Sequence, residues 1–67
     1  MRLYRFLTGP DDSSFCKRVS AALSKGWQLH GSPSYSFNAA TGQMVCGQAV
    51  TKDVEGEFSD DITLSDY

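Results

Sequence analysis

Gly26-Trp27-Gln28-Leu29-His30-Gly31-Ser32-Pro33-Ser34-Tyr35-Ser36-Phe37 is the stretch whose reading decides the fold. From Trp27 onward the odd positions carry Trp, Leu, Gly, Pro, Tyr and Phe; the even ones carry Gln, His and three serines. A period of two describes a strand with one face for the core and one for water. Gly26 stands where a helix ends, since glycine enters the left-handed region after a C-cap without a Cβ clash. Gly31 and Pro33 interrupt the strand. Proline gives a ladder no amide proton, so this strand is expected at a sheet edge or with a bulge.

Upstream, Leu3 to Thr8 is aromatic and branched and is closed by Gly9-Pro10, which reads as a first strand. Asp11-Asp12-Ser13-Ser14 supplies side chains that cap a helix start and suit its positive end. The helix is expected from about Asp12 to Lys25. Phe15, Val19, Ala22 and Leu23 fall on one stripe with Cys16 on its flank, while Lys17, Arg18 and Ser24 face away.

Downstream, Ala39-Ala40-Thr41-Gly42 is a four-residue connection into a third strand, Gln43 to Thr51. Setting Asn38 opposite Gln43 pairs Phe37 with Met44, Tyr35 with Cys46 and Gly31 with Val50, all beneath the helix. The other face pairs Ser36 with Val45, Ser34 with Gly47 and Ser32 with Ala49. Slipping by one residue would put Gln43 and Thr51 in the core. The expectation is an α+β, two-layer βαββ domain over residues 1–52. Its three-stranded antiparallel sheet has order 1-3-2, with one helix on one face. Residues 53–67, with sparse Phe58, Ile62, Leu64 and Tyr67 among acids, read as a disordered acidic tail that can adhere to a basic body.

The 67 residues allow one domain. A chain this short buries only about 60% of its extended surface, so self-association is a common remedy. Residues 1–52 hold all six bases and two acids, a net +4; residues 53–67 hold six acids and no base, a net −6. Met1-Arg2-Leu3-Tyr4-Arg5 lacks the apolar run of an export signal, and no stretch is apolar enough to span a bilayer. A cytoplasmic setting is therefore expected, with Cys16 and Cys46 reduced and buried. Cys16, Cys46 and His30 have no close-spaced pair among them, which argues against a metal.

With these segments placed, the chain resembles a small bacterial and phage-associated family known as domain of unknown function 1737. The resemblance rests on Tyr4-Arg5-Phe6-Leu7-Thr8-Gly9, Phe15-Cys16-Lys17-Arg18-Val19, Leu23, Lys25 to Pro33, and Met44-Val45-Cys46-Gly47-Gln48-Ala49-Val50. It covers roughly residues 1–55 and leaves the acidic tail outside. The Gly-Trp-Gln-Leu-x-Gly-x-Pro run is its specific part. It implies the βαββ order and a stand-alone soluble bacterial protein, and it brings no activity, cofactor or catalytic residue.

No catalytic constellation is visible, and an enzyme is not expected. His30 lies on the wet face with Gln28, Ser32 and Ser34, with Thr51 as its expected neighbour and no carboxylate nearby. Thr8-Gly9-Pro10-Asp11 before a helix imitates an anion loop but lacks its glycines and lysine, and two aspartates would repel the anion. A +4 body screened by a −6 tail argues against nucleic acid. Trp27 is expected to pack on Leu23 with its indole N–H on a helix-end carbonyl. The face away from the helix, with Ser32, Ser34, Ser36, Val45, Gly47 and Ala49, is small, flat and half polar, a surface apt to pair. The leading expectation is a non-catalytic module that self-associates, preferably as a dimer, or binds a protein partner through that face or an edge, with no cofactor and no membrane. A second expectation draws on the strand order that the chain shares with dodecins, which sequester flavin. In it Trp27, His30 and Tyr35 hold a flavin-type ligand at a subunit junction. A nucleic-acid or anion-binding accessory role is third.

Overall fold

A computed structural model describes residues 1–67. The order is β1 (Arg2–Pro10), α1 (Ser13–Ser24), β2 (Gln28–Asn38), β3 (Gln43–Asp53) and a short 3₁₀ turn at Leu64–Asp66. β3 lies between β1 and β2 and is antiparallel to both, giving the order 1-3-2 expected of the βαββ pattern. Asp12 is the N-cap and its carboxylate accepts from the Ser14 amide at 2.8 Å. At the other end the Trp27 amide donates to the Ala22 carbonyl at 3.1 Å and the Gly26 amide to the Leu23 carbonyl at 3.1 Å. That is a Schellman closure, and the Gly26 φ of 96° is the conformation it requires.

The hairpin register agrees with the sequence reading at its tip, where Asn38 meets Gln43, Phe37 meets Met44, and Tyr35 meets Cys46. Below that it departs. His30 lies opposite Ala49 and Ser34 opposite Gly47, so Gly31, Ser32 and Pro33 together face Gln48. This bulge replaces the expected Gly31–Val50 and Ser32–Ala49 pairs with Leu29–Val50 and His30–Ala49, and it moves Thr51 from His30 to Gln28. Two extra residues preserve the alternation, because side chains repeat every second residue. Leu29, Tyr35 and Phe37 therefore stay on the helix side and His30, Ser34 and Ser36 on the other.

The roof is narrower than expected. Leu3 and Leu7 of β1, Val50 of β3, Ala22 and Trp27 form the core, with Phe15 and Val19 packed against them. The 12-residue helix is about 18 Å long and packs chiefly on β1. Only Asp11 and Asp12 connect it to that strand, which ties its first turn close to β1. No residue of β2 is buried. Leu29, Tyr35 and Phe37, expected beneath the helix, are 56%, 63% and 62% exposed. The Phe37–Met44 pair also lies beyond Pro10–Val45, the last pair of the β1 ladder, and the Asp11 amide donates to the Met44 carbonyl there at 3.3 Å.

Of the acidic stretch expected as a tail, residues 53–67, Asp53 closes β3 and residues 54–67 follow it. Ile62, Leu64 and Tyr67 pack half-buried against the core. Lys25 Nζ reaches the Ser65 carbonyl at 3.4 Å, and Lys52 Nζ the Tyr67 carbonyl at 3.2 Å. These few apolar side chains cover core surface that the short helix leaves open.

Candidate functional site

Gln28–Asn38 contains no Lys, Arg, Asp or Glu, yet it is an 11-residue strand at the sheet edge. Edge strands usually carry charge or are short, because their free amides and carbonyls can pair with another chain. The opposite edge, β1, has Arg2 and Arg5, and its Thr8 carbonyl accepts from Arg18 Nη1 at 2.8 Å. On β2 only the bulge and Pro33 interrupt the edge.

The bulge is held from beneath by a residue that sequence reasoning missed. Gln48, 5% exposed, points to the helix side, and its amide donates to the Ala49 carbonyl at 2.8 Å. The same nitrogen reaches the His30 and Gly31 carbonyls at 3.3 and 3.4 Å. A polar residue on the apolar parity of a central strand, facing a Gly-x-Pro interruption, is the signal that could have found it. Beside it, Phe15, Cys16, Val19, Leu29 and Pro33 line an open apolar groove of about 290 Å³. Cys16 is exposed here, contrary to the expectation that both thiols are buried. The helix stripe has its Phe15 edge on this groove because β2 lies outside the roof.

Tyr35 is anchored at its tip, where its hydroxyl donates to Asp11 Oδ1 at 3.1 Å. The buried Cys46 thiol lies 3.7 Å from the same oxygen. Asp11 thus ties hairpin to helix start rather than capping the helix, which Asp12 does alone. Hydrogen bonding to the Asp11 carboxylate and its charge raise the Tyr35 phenol above its ordinary value. Burial, then the Asp11 charge, push the Cys46 thiol up as well. Both groups are held protonated and are poor nucleophiles.

The open face differs in content from the sequence reading. Ser34, Ser36, Val45, Gly47 and Ala49 lie on it as expected, whereas Ser32 sits within the bulge and pairs with no residue. Tyr4 and Phe6 of β1 share this face and are about half exposed. The Phe6 ring crosses Gly47 so closely that a Cβ there would collide with it. The face is therefore part aromatic. Alternation in β1, which buries Leu3 and Leu7, was the signal for it.

Trp27, His30 and Tyr35 are not brought together within one chain. Trp27 is 2% exposed, in the core, with the Arg5 guanidinium 5.5 Å from its ring centroid. Its indole nitrogen has no hydrogen-bond partner, so the expected bond to a helix-end carbonyl is not made. His30 lies on the open face at a polar recess with Arg2, Gln28, Thr51, Lys52 and Asp53. The one carboxylate there, Asp53, is engaged by Arg2 Nε at 3.0 Å. Tyr35 is on the helix side. No three His, Cys, Asp or Glu side chains gather as a metal site requires. No helix is long and apolar enough to cross a membrane.

A family model described as "Domain of unknown function (DUF1737)" matches residues 1–53. No curated protein and no solved structure matches the chain.

Proposed function

We propose that this chain, which belongs to the family described as domain of unknown function (DUF1737), is a small non-catalytic module that pairs with a second copy of itself through β2. The observation that carries this is the uncharged β2 edge, whose Leu29, Tyr35 and Phe37 meet solvent although their parity is that of the core. The strand is its own complement. In antiparallel pairing about a two-fold axis at the bulge, Phe37 of one copy comes alongside Leu29 of the second and its apolar groove, and the reverse contact is identical. Pro33 and the bulge remove donors only near the axis, leaving Gln28–His30 and Ser34–Asn38 to form ladders on either side.

The shape of the chain supports the same reading. Its radius of gyration is 13.4 Å against about 11 Å for a compact domain of this length. It exposes 4767 Å², where a compact monomer of this mass exposes roughly 4,200 Å². A stable dimer buries about 800 Å² per partner, roughly a sixth of that surface. The open face, with Tyr4 and Phe6, remains available for a further partner. A flavin-type site has less support, since Trp27 would have to leave the core to stack on a ligand.

Sedimentation velocity over about 1–100 μM tests the proposal. The chain is expected as a dimer, and Phe37→Lys and Tyr35→Lys as folded monomers by the same method and by circular dichroism. A wild-type chain that stays monomeric at about 100 μM would overturn it.

A further inference from the structure

Three cations converge on the β1 side of the molecule, away from β2. Arg5, Arg18 and Lys25 line a cleft of about 170 Å³ together with the buried Leu7 and Ala22 and the exposed Ala21 and Ser65. None of the three pairs with a carboxylate, since the single ion pair of the chain joins Arg2 and Asp53. The tail, rich in acids, offers this cleft only a backbone carbonyl, that of Ser65 to Lys25. Like charges gathered without a counter-charge repel, and a bound anion relieves that cost.

Two of the cations are already placed. The Arg5 side chain is half-buried and its guanidinium lies over the indole of Trp27, 5.5 Å from the ring centroid, a cation–π contact. Arg18 spends one nitrogen on the Thr8 carbonyl and keeps its other N–H groups free. A planar guanidinium fork held in place matches phosphate oxygens two at a time, with little ordering left to be done on binding. A lysine beside the two forks adds a point charge. Three positive charges suit a dianion better than a single carboxylate.

We propose that this cleft binds the phosphate group of a small phosphorylated molecule, with Arg5 and Arg18 as bidentate donors and Lys25 as the third cation. Leu7 and Ala22 are buried whereas Lys25 and Ser65 are exposed, so the ester substituent leaves on the side of Ser65 and Lys25.

Trp27 is the only tryptophan and Arg5 lies on its ring, so its fluorescence reports the site directly. The full chain is titrated with inorganic phosphate, with phenyl phosphate, with a single-stranded oligonucleotide, and with sodium chloride at matched ionic strength. The expected result is a saturable change with phosphate in the millimolar range, tighter saturation with phenyl phosphate, and a flat chloride control. Equal affinity for both phosphates would assign the site to free phosphate, which keeps the anion site but overturns the esterified ligand. Arg18→Gln and Lys25→Gln are expected to weaken binding roughly five- to tenfold each, and the double variant to abolish it. Both residues are exposed, so these variants keep the fold even where Arg5→Gln does not. Absence of saturation below about 50 mM phosphate, or a response unaltered in the double variant, would overturn the proposal. So would saturation only by a single-stranded oligonucleotide, which would mark a nucleic-acid surface instead.

Discussion

Gly47 has room for a hydrogen and little more, because the Phe6 ring crosses it and Ser34 Oγ stands 3.0 Å from where a Cβ would lie. Phe6 is half exposed and can swing outward, so Gly47→Ala is expected to cost about 1 kcal/mol in urea unfolding. In a Phe6→Ala background the cost should fall close to zero, and an equal cost in both backgrounds would place the strain elsewhere. The two cysteines make a second pair of unlike environments. Cys16 is exposed, whereas Cys46 is buried with its thiol held protonated beside Asp11. With a thiol-reactive dye the native chain should show one fast and one slow equivalent, the fast one lost in Cys16→Ser. Two fast equivalents would mean that the hairpin opens readily. Composition could not separate these thiols, because their difference depends on where the helix comes to rest on the sheet.

At the scale of elements, the helix is the part most legible in the chain: cap and glycine stop act within a few residues of themselves. Of the expected stripe, Phe15, Val19 and Ala22 meet the core, while Leu23, expected under Trp27, is 42% exposed. The Asp12 carboxyl is held below the usual carboxylate range, first by the Ser14 hydroxyl and then by the Ser14 amide. A carboxyl lowered on folding adds stability in full above its unfolded value near pH ~4. That increment is lost as pH falls through the lower, folded value. Asp12→Asn keeps a capping oxygen and cannot titrate, so its urea midpoint is expected to vary less with pH between about pH 5 and pH 2. A slope equal to wild type would show that other carboxylates carry the acid response. The β2 strand was legible in its alternation and its interruption. The length of the bulge was not, since its His30 and Gly31 carbonyls meet the Gln48 amide from a different strand.

At the scale of the molecule, the tail and the β2 overhang are two answers to one shortage. A 12-residue helix cannot cover three strands, so Ile62, Leu64 and Tyr67 close the core on one side while β2 stays open on the other. Ending the chain at Gly56 removes those three half-buried side chains and is expected to cost about 2–4 kcal/mol, read as a lower urea midpoint. For a domain of this size that is a large share of total stability. An unchanged midpoint would mean that the tail does not dock in solution. The proposed pairing through β2 would add a separate contribution, distinguished by a midpoint that rises with protein concentration.

The order of elements, their faces and the tip register followed from the sequence alone, since they rest on local spacing: a period of two, a stripe at helical intervals, a four-residue loop. Which strand the helix covers depends on contacts between residues far apart in the chain, and only the tertiary structure decided it. The same holds for the cleft. Arg5, Arg18 and Lys25 sit seven or more residues apart and look like ordinary surface charge until β1, the helix and the tail bring them around one space.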